Sequence, residues 1–155
     1  APYSVCDNCD HFNGLHEDTE DFANYVYNGS RGENYALNYE QNFKPRVNDI
    51  YEPKVSFLRE VLLNNGISEF CVTDVGCVGG HFVAACEKLN IDCVGYDTNI
   101  ELIKLGNQFL SKNSIEASEF GDINDVIYNV DSPVIYLTGV LEHLMDPIGA
   151  MTAFC

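Results

Sequence analysis

Positive charge is scarce in this chain. Lys and Arg total 8 against 24 Asp and Glu, for a formal net charge of −16. A nucleic-acid binder neutralises phosphates with Lys and Arg, so this balance disfavours DNA or RNA as a partner. An anionic membrane surface is disfavoured for the same reason, and the plain reading of the acidity is solubility. Long hydrophobic runs are also missing: none approaches the roughly 20 residues of a spanning helix. No basic segment followed by an apolar one marks the N-terminus as a secretion signal. No internal repeat or low-complexity tract occurs. The chain starts at Ala1 rather than Met, which reads as a processed or trimmed start.

What is present suits one core. The chain has 155 residues, 46% of them apolar, enough for one globular body and short for two. Its 7 cysteines are an odd number, at positions 6, 9, 71, 77, 86, 93 and 155. Cys71, Cys77, Cys86 and Cys93 fall in apolar stretches, where free cysteine acts as a small buried hydrophobe in a reducing compartment. The cytoplasm is therefore expected. Asn28-Gly29-Ser30 fits a glycosylation triplet, but without a secretion signal it reads as chance.

Residues 1–45 form an acidic, Tyr-rich arm, with Tyr25, Tyr27, Tyr35, Tyr39 and Phe43 set among Asn and Gly. No sustained period emerges there, so short helices and loops are expected. Residues 46–155 read as a separate domain. Pro53 suits a first helical turn; Val55, Leu58, Val61 and Leu62 follow at helical spacing, and Asn64-Asn65-Gly66 stops the run. Strands are expected at Phe70–Val75, Asp92–Tyr96, Ile115–Phe120 and Pro133–Thr138, the last apolar enough to be covered on both faces. Helices are expected at Gly80–Leu89 and Asn99–Leu110. This alternation predicts an α/β fold, a Rossmann-like doubly wound parallel sheet. The chain stops inside a helix beginning after Pro147, which reads as a core lacking its later strands. A missing segment or a homodimer would then cover the open sheet edge.

"CVTDVGCVGGHFVAACEKLNIDCVGYD", Cys71–Asp97, holds the sharpest signal. A glycine turn between strand and helix offers unpaired N–H groups at a positive dipole end. Asp97 closes the next strand, where a carboxylate accepts ribose hydroxyls. A dinucleotide site needs G-x-G-x-x-G, with its second glycine making room for pyrophosphate. From Gly76 this chain reads G-x-x-G-G, and Val78 stands in the way. Gly79 follows directly, so the turn is expected to keep its flexibility displaced by one residue.

"DVGCVGGHF" resembles the first motif of class I S-adenosylmethionine-dependent methyltransferases. "VGYD" resembles the second, "FGDI" the third, and "TGVLEHLMDP" the Leu-Glu-His signature of the small-molecule type. The resemblance covers about residues 50–155. It implies S-adenosylmethionine as cofactor, held by Asp74, Gly76, Cys77, Gly79, Gly80, Asp97, Thr98, Asp122, Ile123 and Thr138. It implies methyl transfer to a small molecule, with His143 as catalytic base and Glu142 orienting it; a nucleotide-linked sugar as acceptor is implied by the resemblance of the Cys6 and Cys9 pair alone. Simpler roles stand beside these: Asp74 as a turn cap, Asp122 in an ordinary turn, Thr98 and Asn99 as helix caps, His143 bonded to backbone.

"YSVCDNCDHF" resembles the second Cys-x2-Cys pair of a zinc module in sugar C-methyltransferases, which implies Cys6 and Cys9 as metal ligands. His11 and His16 lie nearby but not at a usual zinc spacing. In such enzymes an N-terminal segment closes over the site, making Tyr25, Tyr35 or Tyr39 candidate contacts. A non-catalytic or truncated S-adenosylmethionine-binding module and an NAD-dependent oxidoreductase stay open as alternatives.

Overall fold

The structure is a computed structural model that describes residues 3–10, 12–14, 32–117, 132–144 and 147–153. The chain divides into two compact units, Ala1–Gly32 and Glu33–Cys155.

In the first unit β1 (Tyr3–Val5) pairs antiparallel with β2 (Phe12–Gly14), in the register Tyr3↔Gly14 to Val5↔Phe12. The connection closes with the Asp10 N–H on the Cys6 carbonyl at 2.9 Å, and Asp10 takes a left-handed φ of 58°. Asp is one of the few side chains that tolerate that conformation.

The second unit begins at the second residue of α1 (Gly32–Arg46), followed by a five-residue π-helical turn at Val47–Tyr51 and α2 (Glu52–Asn64). Helical dihedrals run through both junctions, at Arg46 and Glu52. The wide turn bonds the Glu52 N–H to the Val47 carbonyl, immediately before Pro53, which has no N–H to donate. A long helix thus occupies part of the stretch expected to hold short helices and loops. Its buried stripe is Tyr39, Phe43 and Val47, at 7%, 3% and 4% exposure. A spacing of four keeps the three on one face, and the polar residues around them mask the period.

The sheet alternates with helices as expected. β3 (Val72–Val75), α3 (His81–Lys88), β4 (Cys93–Asp97), α4 (Ile100–Asn107), β5 (Ser114–Ala117) and β6 (Val134–Leu137) follow in order. The four strands are parallel, ordered β5-β4-β3-β6. This is a Rossmann-like α/β fold. β3 is buried along its whole length, and α3 buries His81 through Cys86. "HFVAAC" offers no polar face, the mark of a helix covered on all sides.

Two expectations need correction. β6 is not covered on both faces; each of its residues is half-buried, because among the described residues it pairs with β3 alone. Cys71 is exposed, because it precedes the strand rather than lying within it, whereas Cys77, Cys86 and Cys93 are buried free thiols.

The loop before β5 is tied to the end of α3 by one carboxylate. Glu87 accepts the N–H groups of Ser111, Lys112 and Asn113 at 3.0, 2.7 and 2.9 Å, and the Ser111 hydroxyl at 2.8 Å. The Asn113 amide donates to the Val83 and Ile91 carbonyls and accepts the Cys93 N–H. No described helix is long and apolar enough to cross a membrane.

Candidate cofactor site

Sheet order places the site. From β3 the chain steps through β4 to β5 on one side, then returns to put β6 on the other. Ligands of open α/β sheets bind beyond the carboxyl ends of strands at such a reversal. Three segments meet there: the glycine turn after β3, Asp97 at the end of β4, and the loop after β6.

The register Val75↔Tyr96 brings the turn beside Asp97. Gly76 and Cys77 donate their N–H groups to the Tyr96 carbonyl at 2.8 and 3.1 Å. The Val78 N–H donates to Asp97 Oδ2 at 2.7 Å, and the Asn99 N–H to Asp97 Oδ1 at 2.8 Å. Asn99 in turn caps α4, its Oδ1 accepting the Leu102 N–H at 3.1 Å. Gly80 donates to the Cys77 carbonyl at 2.8 Å, and Gly79 to the Tyr39 hydroxyl at 3.0 Å. Every backbone N–H from Gly76 to Gly80 is therefore engaged inside the chain.

The turn does not shift its flexibility to Gly79. Val78 itself takes the left-handed conformation, at φ 54°, between Gly76 and Gly80, both at 74°, while Gly79 does not. A left-handed β-branched residue costs roughly 1–2 kcal/mol. A hydrogen bond to a charged group is worth about 1.5–3 kcal/mol, so the Asp97 contact outweighs the strain. Gly79 is needed for room: a Cβ there would overlap the Tyr39 ring. Gly76 needs both room and freedom, since a Cβ would run into Val140.

Two acidic side chains border the turn, and the more buried of them holds its proton. Asp74 is 4% exposed, and burial first and the Asp97 charge second push its carboxyl up to about 8. The buried Cys77 thiol is pushed well up, by burial and then by the same two carboxylates. With a carboxylate at Asp97, a buried Asp74 that keeps its proton near neutrality and no spare turn amide, the turn offers a pyrophosphate no donor.

The remaining candidates divide. Thr98 and Thr138 are exposed beyond the ends of β4 and β6. Glu142 is exposed within the 3-10 turn Leu141–His143, and the side chain of His143 lies outside the described part. Asp122 and Ile123 lie outside the described residues, as do His11, His16, Tyr25 and the side chain of Tyr35. Cys6 and Cys9 are free thiols; the N–H of Asn8, then the Cys9 side chain and N–H, lower the Cys6 pKa. Among the described residues no group of three or more His, Cys, Asp and Glu is placed to hold a metal.

One neighbour of the turn was not among the candidates. His81, 2% exposed, stacks on Phe43 and Tyr51 at centroid distances of 4.8 and 5.3 Å and leans on Tyr39 at 4.1 Å. Its Nε2 is buried with no hydrogen-bond partner. Burial first and the Arg46 charge second bring its imidazole down to about 4. The signal that locates this cluster is the spacing of four from Tyr39 to Phe43 to Val47.

The Rossmann-like α/β fold recurs in solved methyltransferases. Two solved structures of the plantazolicin methyltransferase BpumL, both in complex with SAH and one also with a pentazolic desmethylPZN analog, share it. Both have TM-scores of 0.58, at 15% and 18% identity, covering 83% and 85% of this chain and 50% and 51% of theirs. In sequence, the chain is 33% identical over 88 residues to the tRNA U34 carboxymethyltransferase of Campylobacter jejuni subsp. jejuni serotype O:6 (strain 81116 / NCTC 11828). That match covers 54% of this chain and 30% of the relative. The chain thus spans under a third of that relative and about half of the BpumL chains. No family model matches.

Proposed function

We propose that this chain binds S-adenosylmethionine across the carboxyl edge of its parallel sheet, as part of an enzyme that methylates a small molecule. One observation carries the reading. The Asp97 carboxylate ends β4 fixed by two backbone N–H groups, beside a buried Asp74 and a turn without spare donors. Its two oxygens have about four acceptor positions between them, so capacity remains for a ribose diol. Asp74 would face the cofactor's ammonium group, whose charge suits a buried carboxyl. Gly76, Cys77, Gly79 and Gly80 would shape the wall, and Thr98, Asp122, Ile123 and Thr138 its rim. When bound, the cofactor supplies an electrophilic methyl on a sulfonium. The chain's part is to hold the acceptor in line and exclude water, with His143, oriented by Glu142, taking a proton from a protic acceptor. A nucleotide-linked sugar is the proposed acceptor, on the resemblance of "YSVCDNCDHF".

Titration calorimetry with S-adenosylhomocysteine tests the reading. Saturable binding is expected, with none for NAD; the opposite pattern refutes it. A second reading has the similarity to a tRNA carboxymethyltransferase behind it, namely an RNA acceptor. The net charge of −16 weighs against it. Salt-sensitive binding of tRNA to the protein would reverse that preference.

A further inference from the structure

We propose that Tyr39 is a positioning residue for the cofactor turn. Its hydroxyl, set on the Gly79 N–H, replaces the freedom a glycine at position 78 would have and keeps the Val78 N–H seated on Asp97. The consequence for ligand binding rests on the S-adenosylmethionine reading above; the mechanical part does not.

Val78 holds a φ of 54° that its branched side chain disfavours. Such a residue persists only where its surroundings over-determine it. The bond to Asp97 fixes the peptide entering Val78, and the bond to Tyr39 fixes the peptide leaving it. Removing either lets Val78 rotate toward an ordinary conformation and withdraws its N–H from Asp97.

Tyr39 is built to be a strut. It lies on the buried stripe of α1, its ring against His81, while Phe43 one turn on stacks on His81 and on Phe109 at 4.2 Å. Gly79 is backed from α4 by Gly106, where a Cβ would overlap the Gly79 carbonyl. The peptide is thus held between two helices. Ring packing alone would explain the burial of Tyr39. It would not place the hydroxyl on the one N–H that follows the strained residue.

The test is a double-mutant cycle in the full chain: Tyr39→Phe, which keeps the ring, Val78→Gly, which removes the strain, and both together. In the native background Tyr39→Phe is expected to weaken S-adenosylhomocysteine binding about tenfold, the scale of one hydrogen bond. It is also expected to lower Tm by roughly 4 °C and to speed hydrogen exchange at the Gly79 amide. With glycine at 78, the same substitution is expected to cost less than about threefold in affinity and roughly 1 °C, because glycine adopts the turn unaided. Equal losses in both backgrounds overturn the proposal and leave Tyr39 an ordinary packing residue. If Tyr39→Phe alone fails to fold, recovery of folding in the double variant supports the proposal and continued failure overturns it. If the native protein binds no S-adenosylhomocysteine, the cofactor reading falls, while the melting and exchange arms still decide the role of Tyr39.

Discussion

Replacing Asp74 with Asn should remove a decline in stability that the native protein shows from near-neutral to alkaline pH. Burial and the neighbouring Asp97 push the Asp74 carboxyl up to about 8, whereas an unfolded Asp titrates near 3.9. The folded chain therefore keeps a proton that the unfolded chain has released. Stabilisation from that proton is complete below about pH 4 and is lost as pH rises through about 8. His81 opposes it in the lower part of that window. Its imidazole is brought down to about 4, so the folded state loses ground as pH falls from about 6.5 toward 4. The two slopes offset each other there; above pH 6.5 Asp74 dominates, and toward pH 8.5 the buried Cys77 and Cys93 thiols, also pushed up, add a smaller decline of the same sign. At about 1.36 kcal/mol per pH unit, less the curvature near its own pKa, the loss from pH 6.5 to 8.5 is about 2 kcal/mol. In a chain of this size that is roughly 4–8 °C in Tm. Urea unfolding of the ligand-free protein at the two pH values measures it. The native protein should lose about 2 kcal/mol more than Asp74→Asn, with m unchanged. An equal decline in both would refute the assignment of the buried proton to Asp74.

Four further substitutions test other parts. At Glu87, partial burial pushes up, but the N–H groups of Lys112, Asn113 and Ser111 and the Ser111 hydroxyl outweigh it and bring the carboxyl down to about 2. Its contribution is present above about pH 4.5 and lost as pH falls toward 2, so Glu87→Gln should flatten the acid limb of a pH–Tm curve. Gly76→Ala should destabilise by about 1–3 kcal/mol, through positive φ and overlap with Val140, and denaturant unfolding reads it directly. His81→Phe should be neutral or stabilising by about 1 kcal/mol, because it removes a buried nitrogen with no partner; a clear loss by calorimetric melting would show that Nε2 has one. Asp97→Asn should cost S-adenosylhomocysteine at least about tenfold in affinity by calorimetry; unchanged affinity would remove Asp97 from the ribose role.

Much of this fold was legible in the residues because its signals are local. Apolar "CVTDV" and "CVGYD" around a glycine turn specify strand, turn and helix by chain stiffness and periodicity. Asp97 was identifiable from its place at a strand end. The glycines misled because one residue type meets two needs: Gly76 and Gly80 supply positive φ, whereas Gly79 supplies only space. Nothing local distinguishes them, since the group filling that space, the Tyr39 ring, comes from forty positions earlier. The stripe of Tyr39, Phe43 and Val47 is a spacing of four that polar neighbours masked, and only its partner His81 gives it meaning.

From sequence alone come the parallel α/β class, the glycine turn, the strand-end carboxylate of Asp97 and the net acidity. Those follow from periodicity, residue size and net charge, which act over a few positions or over the whole chain. Tertiary structure alone decided how a valine survives where glycine is usual, why Asp74 keeps its proton, and which helix braces the turn. Each of those depends on groups far apart in the chain meeting in a dry interior, where a hydroxyl or a neighbouring charge counts for more than it does in water.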